Sequence, residues 1–433
     1  MTRPQETFTD MLARLFPMPG IQLGINSPHS KCITFQVTED CNLRCSYCYQ
    51  GCKTHRKMSL ETAKAAVDML VAADERTNQY ITSTEVAGVV LDFIGGEPLL
   101  EVELIDQILD YFVAQTFRLH HPWATRWKAS MSTNGTLYFR PEVQRFLDKW
   151  AKHLSLSISI DGDKQLHDSC RVFPDGSGSY DLAIAAAKDY MTKGNALGSK
   201  MTIAPGNVDY LYHAVIGLLD AGYRAINLNC VYEKGWTLDH AATLYTQLKR
   251  LADFVQPYLS IFSESVGHPL PEDDNQNWCG GTGLMLAVDC DGLFFPCLRY
   301  MGTSLGHEQR PYTIGDLEHG INVLPEHRAR VAEMAAVTRR SQSTDECFAC
   351  PIASGCSWCS AYNYQCTGSP DKRVTYICPM HKARVLANAY YWNNLYRKRG
   401  DTARYRLDIP DAWALEIIPY AELSMLKSIS KEG

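Results

Sequence analysis

The chain of 433 residues lacks the features that define several large protein classes. Its 42 Lys and Arg residues are outnumbered by 48 Asp and Glu residues, and a net charge of −6 offers no basic surface for a nucleic acid. No apolar run approaches the ~20 residues that cross a bilayer. The first residues lead into no apolar segment of a secretory signal. We therefore expect a cytoplasmic protein with no nucleic-acid or membrane partner.

Cysteine, in contrast, is abundant, with 16 residues in a chain that is 45% hydrophobic and 21% charged. A short secreted protein would use so many cysteines for disulfides. A large chain without a secretory signal uses them as metal ligands or catalytic groups in a reducing compartment. The cysteines are therefore the first candidates for functional residues, in a chain long enough for about three domains.

The most informative cysteines are Cys41, Cys45 and Cys48, which form a CxxxCxxC pattern after the strand-like run Ile33–Thr38. Cysteine thiolates hold iron–sulfur clusters, and three of them can bind three irons of a [4Fe–4S] cube and leave the fourth iron open to another ligand. A zinc site is the alternative, with His55 as the nearest candidate for a fourth ligand.

A second motif follows the strand-like run Val89–Ile94, where Gly95, Gly96 and Glu97 precede a proline. Glycines have no Cβ and let a ligand approach the backbone closely. Glu97, at the carboxyl end of the strand, could accept hydrogen bonds from an ammonium group. Together the two motifs resemble those of the radical S-adenosylmethionine (SAM) enzymes, which cleave SAM to a 5′-deoxyadenosyl radical. The resemblance implies that SAM and one SAM-binding [4Fe–4S] cluster are cofactors.

Strand-like and helical segments alternate along the first half of the chain. Strands are predicted at Ile33–Thr38, Val89–Ile94, Arg126–Ser132, Leu154–Ile160, Lys200–Ile203 and Ala225–Cys230. Helices are predicted at Ser59–Leu70, Glu103–Phe112, Pro141–His153, Asp181–Lys193 and Tyr210–Ala221. This order indicates parallel strands with right-handed crossovers. The family resemblance implies an α/β fold with a partial (β/α)6 TIM-like radical SAM barrel, whose chemistry takes place at the carboxyl ends of the strands.

Polar residues follow the third and fourth predicted strands. Ser132 and Asn134 belong to a Ser-Thr-Asn-Gly sequence, and Ser159 and Asp161 precede a His-Asp-x-x-Arg sequence that ends at Arg171. Such sequences also form plain turns. Their resemblance to motifs of peptide-modifying radical SAM enzymes implies that they bind SAM, with Ser132 and Arg171 at its carboxylate.

The C-terminal cysteines resemble the SPASM domain, a cysteine-rich α+β extension of radical SAM enzymes that binds two auxiliary [4Fe–4S] clusters. The resemblance assigns one cluster to Cys347, Cys350, Cys356 and Cys378, and the other to Cys279, Cys297 and Cys359. The pattern departs from the family at Cys356 and Cys359, which are separated by two residues instead of three. A zinc module and a set of ferredoxin-like electron carriers are the alternatives.

The second auxiliary cluster lacks an evident fourth ligand. SPASM enzymes commonly supply it from a cysteine shortly before the position of Cys279, but the preceding cysteine in this chain is Cys230. Either Cys290, in a predicted strand that enters a tight Asp-Gly turn, replaces it, or the cluster has an open iron that could bind a substrate thiolate. Five cysteines fit no pattern: Cys32, Cys52, Cys170, Cys230 and Cys366.

The resemblance covers roughly residues 31 to 385 and is closest to maturases of ribosomally made peptides, including those that act on Cys-xxx repeats. It implies hydrogen abstraction from a precursor-peptide residue and formation of a crosslink, in the first place a Cys thioether. Epimerisation, or a carbon–carbon or carbon–oxygen crosslink, would begin with the same step. Sulfatase maturation is a further alternative, but its enzymes have an Asp as general base directly after the cysteine that corresponds to Cys297, and this chain has Leu298. The sequence identifies no catalytic base.

The implied partners are a Cys-containing precursor peptide and an electron donor, a flavodoxin or ferredoxin. A non-catalytic iron–sulfur carrier and a scaffold that recruits SAM are the non-enzymatic alternatives. The predicted organisation is an N-terminal extension (1–30), a radical SAM core (31–235), a bridging segment with the helix Ala242–Val255 (236–275), a SPASM domain (276–380), and a helix His381–Arg397 with a tail (381–433). Because only about thirty residues precede the first strand, too few for a domain of their own, we expect a leader peptide to bind the barrel and SPASM surfaces, to bind a separate partner, or not to be bound at all.

Overall fold

A computed structural model describes residues 30–51, 53–72, 74, 76–81, 88–254, 261–274, 281 and 285–430 of the chain. Two of the cysteines considered above, Cys52 and Cys279, lie outside the described residues. The chain forms two compact units. The first consists of described residues within Met1–Asn42, Tyr49–Ser157 and Gly280–Ala336, and the second of described residues within Leu43–Cys48, Ile158–Cys279 and Val337–Gly433. The domain boundaries expected from the sequence remain a prediction.

All six predicted strands are confirmed, and four short ones follow them. The described strands are β1 (Ser30–Gln36), β2 (Gly88–Ile94), β3 (Trp127–Thr133), β4 (Leu154–Ile158), β5 (Gly198–Ile203), β6 (Ala225–Cys230), β7 (Met285–Val288), β8 (Phe294–Phe295), β9 (Gly315–Asp316) and β10 (Gly320–Ile321). One sheet has the order β10-β9-β8-β7-β1-β2-β3-β4, and β5 pairs in parallel with β6 in the second unit.

Strand β2 is buried on both faces, as expected for a strand of a parallel sheet. Val90 and Leu91, whose side chains point to opposite faces, are 3% and 1% exposed. Its neighbours run parallel to it, with Asp92 opposite Thr34 of β1 and Ser130 of β3. This register brings the carboxyl ends of β1, β2 and β3 to one edge of the sheet, where the polar motifs begin.

The predicted helices are also confirmed. The described helices are α1 (Leu60–Ala72), α2 (Val102–Arg118), α3 (Pro141–Trp150), α4 (Lys164–Cys170), α5 (Tyr180–Thr192), α6 (Leu211–Asp220), α7 (Leu238–Phe254), α8 (Gly302–Leu305), α9 (Pro325–Ala336), α10 (Arg339–Gln342), α11 (Asp345–Phe348), α12 (Ser360–Thr367), α13 (Cys378–Arg399), α14 (Asp411–Leu415) and α15 (Tyr420–Ser430). Helix α7 confirms the bridging helix up to its last described residue, Phe254. Helix α13 confirms the C-terminal one and begins earlier than predicted, at Cys378.

The cysteine-rich part of the chain extends the sheet of the first unit. Strand β7 pairs in parallel with β1, with Leu286 opposite Ile33, and β8 to β10 continue in antiparallel order. The turn between β7 and β8 has Gly292 at φ +83°, and its amide donates to Asp289 O over 3.1 Å. The predicted strand and turn around Cys290 are thereby confirmed, whereas the pairing with β1 joins segments too far apart in sequence to predict.

In the second unit, α13 packs against neighbouring segments. The rings of Tyr391 and Phe262 stack with centroids 4.2 Å apart, so Tyr391 is used for packing. Asn393 Nδ2 donates to Ser430 Oγ of α15 over 2.8 Å. The sequence beyond Arg399 suggests no structure by itself, yet α15 closes this helical layer.

No helix in the described ranges is both long enough and apolar enough to pass through a bilayer.

Candidate functional site

The Gly-Gly-Glu sequence after β2 packs against the first part of the CxxxCxxC loop. The amide of Gly96 donates to Thr38 O over 3.2 Å, and that of Glu97 donates to Asp40 O over 2.8 Å. A Cβ atom at Gly96 would lie 2.7 Å from Cys41 Cβ and still closer to Asp40 O. Gly96 is therefore required by the close approach of the loop that carries Cys41.

Gly95 faces the same loop. A Cβ atom here would lie 2.7 Å from Thr38 Cγ2, and the Gly95 carbonyl accepts a hydrogen bond from Gln50 Nε2 over 3.0 Å. Both glycines thus allow close packing within the protein, Gly96 against the backbone of Asp40 and Gly95 against Thr38.

The Glu97 carboxylate is buried, with 1% of the residue exposed. Its Oε1 accepts from the amide of Leu99 (3.1 Å) and the hydroxyl of Thr133 (2.6 Å), and its Oε2 accepts from the amide of Asn134 (2.8 Å). Glu97 therefore caps the 3-10 turn Pro98–Glu101 and ties it to the end of β3. An ammonium group, expected here from the sequence, would share a carboxylate that already has three protein donors.

Asn134 is also used within the protein. Its Nδ2 donates to Asn42 Oδ1 over 2.8 Å, and its Oδ1 accepts from the amide of Thr136 over 3.0 Å, so that Asn134 joins the turn after β3 to the residue next to Cys41. Ser132 lies on the accessible face of β3 and is exposed. Of these two predicted SAM contacts, Ser132 is the one whose side chain is open to a ligand.

The loop then passes into the second unit, which contains Cys45 and Cys48. Two backbone hydrogen bonds, of 2.7 and 2.9 Å, join the amides of Arg44 and Ser46 to the carbonyls on either side of Arg171. The second half of the loop is therefore aligned with the segment that follows α4, and Arg171 is placed next to Cys45.

Arg171 forms a buried ion pair beside these cysteines. Its Nε donates to Asp161 Oδ2 over 2.7 Å, and the Tyr47 hydroxyl donates to the same oxygen. The two charged side chains are 12% and 0% exposed. Burial lowers the pKa of Arg171, but Asp161 and the thiols of Cys45 and Cys48 raise it, with a net upward shift. The guanidinium is thus a permanent positive charge next to two predicted cluster ligands.

His167 supports both partners of this ion pair. Its Nδ1 accepts from the Asp161 amide (3.4 Å), and its Nε2 donates to the Ser179 hydroxyl (3.0 Å), which in turn donates to Arg171 O (2.8 Å). Burial and the adjacent guanidinium lower the pKa of His167 to about 4, so the ring is neutral near pH 7, as this bonding requires. Ser159 is half-buried just after β4, and its contact with SAM remains a prediction.

The second unit contains the four cysteines assigned to one auxiliary cluster: Cys347, Cys350, Cys356 and Cys378. Burial raises the pKa of the Cys356 thiol to about 11, and it also raises the pKa values of Cys350 and Cys378. Negative charge on other sulfurs of the set raises the pKa values of all three thiols further. Iron bound to them would relieve this repulsion, because the ligand is the thiolate. Four cysteines have the donor chemistry of a [4Fe–4S] cluster, so the residue types fit the predicted auxiliary cluster, whose ligand set remains a prediction.

Arg373 contacts this set and was not predicted as a site residue. Its Nη2 donates to Cys356 Sγ over 3.2 Å, and its amide donates to Gln342 O over 3.0 Å. The positive charge of Arg373 lowers the pKa of the Cys356 thiol against the stronger effect of burial. The guanidinium is therefore positioned to stabilise negative charge on sulfur.

Cys290, the candidate for a replacement ligand, is 5% exposed in the first unit. Its thiol donates to Gln36 O over 3.2 Å. Burial, followed by the nearby Glu39 carboxylate, raises the pKa of this thiol to about 12. The Cys290 thiol therefore has a hydrogen-bond acceptor within the protein, and its role as a replacement ligand remains a prediction.

The two remaining described cysteines of the SPASM-like pattern belong to different units. Cys297 is buried at the start of the 3-10 turn Leu298–Tyr300 in the first unit, and Cys359 precedes α12 in the second. Across the described part of the chain, no three His, Cys, Asp or Glu side chains converge tightly enough to hold a single metal ion. A four-iron cube presents its irons at separate corners, so its ligands need not converge on one point.

Sequence reasoning missed the residues that position the predicted ligands. Tyr47 lies in the sequence between the predicted ligands Cys45 and Cys48, but nothing in the sequence indicates its hydrogen bond to Asp161. Thr133 and Asn42 adjoin predicted residues, and only the folded chain shows their bonds to Glu97 and Asn134. Proximity to the C-terminal cysteines was the only signal for Arg373.

Comparisons with known proteins connect this geometry to a family. The chain is 21% identical over 398 residues to the radical SAM cyclopropyl synthase TigE of Paramaledivibacter caminithermalis, which covers 87% of this chain and 76% of TigE. It is 23% identical over 320 residues to the antilisterial bacteriocin subtilosin biosynthesis protein AlbA of Bacillus subtilis, which covers 73% of this chain and 61% of AlbA.

The fold matches that of a solved structure, native anSMEcpe with bound AdoMet and the Kp18Cys peptide. The TM-score is 0.58 at 15% identity, over 86% of this chain and 99% of that chain. This match confirms the predicted fold class, a partial radical SAM barrel with a cysteine-rich C-terminal part. A model of the radical SAM superfamily matches residues 35–209, which contain the CxxxCxxC loop, the Gly-Gly-Glu sequence and Arg171. Residues 35–209 of the chain therefore form a radical SAM domain, and enzymes of that superfamily use SAM and a [4Fe–4S] cluster.

Proposed function

We propose that this enzyme crosslinks a precursor peptide by forming a Cys thioether. The observation that carries the proposal is the set of four thiols in the second unit, Cys347, Cys350, Cys356 and Cys378, with Arg373 beside it. SAM cleavage needs only the three-cysteine loop, whereas an oxidative crosslink needs a further site that can take up an electron. The relation to AlbA, a bacteriocin biosynthesis protein, and the likeness to a fold that binds a Cys-containing peptide support a peptide substrate.

The residues of the SAM site have separable roles in this proposal. Cys41, Cys45 and Cys48 would hold the SAM-binding cluster, which with SAM supplies the radical that removes a hydrogen atom from the peptide. Arg171 would bind the SAM carboxylate through its fixed positive charge, together with Ser132. Asp161 orients this guanidinium.

The second carboxylate oxygen of Asp161 could accept a hydrogen bond from SAM. Its Oδ1 is buried and has no hydrogen-bond partner among the described residues. An unpaired buried carboxylate oxygen is costly unless a ligand supplies a donor. The ammonium group or a ribose hydroxyl of SAM would supply one.

The thioether bond requires a thiolate of the peptide substrate. The contacts of Cys290 support the presence of an open iron that could bind this thiolate. Because its thiol is bonded to Gln36 O, we infer that Cys290 does not complete the auxiliary cluster assigned to Cys279, Cys297 and Cys359. That cluster would keep an open iron, which can bind a peptide thiolate and lower its pKa. Leu298 also replaces the carboxylate that formylglycine formation would require, which disfavours sulfatase maturation.

Peptide mass tests this function. The reconstituted enzyme is incubated anaerobically with SAM, a low-potential reductant and the Cys-containing peptide encoded nearest to its gene. The mass is read before and after thiol alkylation, in ordinary and in heavy water. A Cys45→Ala variant, which lacks one ligand of the SAM-binding cluster, is the matched control and should leave the peptide unchanged.

We expect the peptide to lose two hydrogens per event, with an equal loss of alkylatable cysteine. Loss of two hydrogens with all thiols free would reject the thioether in favour of a carbon–carbon or carbon–oxygen bond, a result for which the cyclopropyl synthase TigE is a precedent. An unchanged mass with uptake of deuterium would indicate epimerisation and reject crosslinking.

The contact of Arg373 with Cys356 predicts a shift in redox potential. Reduction adds negative charge to an iron–sulfur cluster, and hydrogen bonds to its sulfurs stabilise that charge. Replacement Arg373→Gln should therefore lower the midpoint potential of one auxiliary cluster by about 60 mV, a tenfold change for one electron. EPR-monitored redox titration measures it, with the exposed neighbour Lys372→Gln as control. Equal potentials in both variants would contradict the assignment of Cys356 as a ligand.

A further inference from the structure

A cavity of the second unit lies at the carboxyl ends of β5 and β6. It has a volume of about 160 Å³ and extends between these strand ends, α7 and α13. Ile203 and Cys230, the last residues of the two strands, are part of its lining. Strand ends of this kind carry substrate sites in α/β barrels. None of the residues assigned above to SAM or to the clusters lines this cavity.

Arg384 of α13 is the only cation on the lining of this cavity, and none of its described lining residues is acidic. Arg384 is half-buried and forms no hydrogen bond or ion pair with another described residue. Arg171 and Arg373, in the same unit, each have a partner for their guanidinium. Partial burial of an unpaired charge costs free energy. An anionic ligand that pairs with the Arg384 guanidinium would offset this cost.

Neutral polar side chains complete the lining. Those of Asn227, Asn229 and Ser357 form no hydrogen bond within the described residues and can donate to a ligand. His381 adds no charge, because its Nε2 donates to Ile352 O over 2.6 Å and burial lowers the pKa of the ring to about 4. The cavity thus presents one positive charge surrounded by uncharged donors.

We propose that this cavity, named here the Arg384 cavity, binds one carboxylate of the peptide substrate. A planar guanidinium forms two parallel hydrogen bonds with a carboxylate, and its single charge balances one negative charge. A phosphate group carries a charge of about −1.5 to −2 and would remain unbalanced here. The carboxylate is that of an Asp or Glu side chain or of the peptide C-terminus. The inference rests on the proposed function in that it takes the substrate to be a peptide.

Two substitutions at Arg384 and one control test this site. Arg384→Gln removes the positive charge. Arg384→Lys keeps the charge but loses the planar guanidinium that can form two parallel hydrogen bonds. Lys382→Gln removes a positive charge from the same helix, where Lys382 pairs with Glu416 over 2.7 Å and does not line the cavity. Thermal unfolding and iron content of each variant verify that it is folded and loaded.

The probe is the Cys-containing peptide encoded nearest to the gene, labelled at its N-terminus. A panel of derivatives replaces each Asp by Asn and each Glu by Gln, one at a time, and amidates the C-terminus in a further derivative. A last derivative lacks every carboxylate. The dissociation constant of each peptide is measured by fluorescence anisotropy with the anaerobic, reconstituted enzyme.

We expect Arg384→Gln to weaken binding of the unmodified peptide by about 10- to 100-fold, as for the loss of hydrogen bonds to a charged group. Arg384→Lys should have a smaller effect, and Lys382→Gln should change the constant by less than about twofold. One derivative should bind wild type and Arg384→Gln equally, which identifies the carboxylate as a side chain or the C-terminus. Equal binding of the unmodified peptide by wild type and Arg384→Gln would overturn the proposal. An equal loss for every derivative, including the one without carboxylates, would do the same.

Binding is measured without turnover, so a failure of the proposed carboxylate site can be distinguished from a failure of the proposed thioether formation. Arg384-dependent binding without any change in peptide mass would reject thioether formation and support the site. A crosslinked peptide whose binding does not depend on Arg384 would reject the site and support the reaction.

Discussion

Replacement of Gly96 by alanine is expected to lower the rate of SAM cleavage by about 100-fold or more, the effect of displacing reacting groups by roughly 1 Å. The added methyl group would lie 2.7 Å from Cys41 Cβ and even closer to Asp40 O. The loop can escape this contact only by giving up the hydrogen bond from the Glu97 amide to Asp40 O. Cys41 would move with it, and the site would bind iron poorly. Release of 5′-deoxyadenosine and the EPR signal of the reduced cluster measure the loss.

Gly206→Ala is the matched control for this prediction. A Cβ atom at Gly206 meets no other atom within 4 Å, and the residue is outside the left-handed region of φ. We expect this variant to retain full iron content and SAM cleavage. A Gly96→Ala enzyme with wild-type iron content and activity would mean that the loop does not depend on the contact seen here.

Asp161→Ala should destabilise the protein by about 3–5 kcal/mol, the usual cost of leaving one member of a buried ion pair without its partner. Asp161 is 0% exposed and accepts hydrogen bonds from both Arg171 and Tyr47. Its removal leaves the guanidinium as an uncompensated buried charge and frees it to turn away from Cys45. SAM affinity should fall together with stability. Urea unfolding and the dissociation constant of SAM measure the two effects.

Two further variants test whether the loss of stability comes from the charge of Asp161 and from its buried position. Asp161→Asn keeps an acceptor of the same shape and should lose less stability than the alanine variant. Asp181→Ala removes an exposed carboxylate that pairs with Lys164 over 2.6 Å and should cost less than about 1 kcal/mol. If Asp161→Ala unfolds at the same urea concentration as Asp181→Ala, the buried ion pair does not have the energetic role assigned to it.

The strands and helices of the barrel were predictable because they are local features of the sequence. Strand β2 has apolar residues on both faces, and α3 and α5 have the periodicity of amphipathic helices. The SPASM-like turn around Gly292 was predictable for the same reason. The pairing of β7 with β1 and the helices beyond Arg399 were not, because they depend on contacts between segments distant in sequence.

The same distinction between local features and distant contacts holds for the candidate site. The spacing of Cys41, Cys45 and Cys48 predicts from the sequence alone that they are cluster ligands. The sequence placed Glu97 and Asn134 near SAM but could not reveal that three donors of the protein already occupy the Glu97 carboxylate. A side chain with a known motif position can therefore still have its hydrogen bonds committed to the fold.

By itself the sequence predicted the radical SAM resemblance, the use of SAM and a [4Fe–4S] cluster, and a set of candidate cysteine ligands, because these predictions follow from residue types at short, fixed spacings. Only the tertiary structure decided which charges accompany those ligands: Arg171 beside Cys45 and Cys48, Arg373 on Cys356, and Arg384 alone in its cavity. Electrostatic effects depend on distance and burial, and neither is encoded in the spacing of residues along the chain.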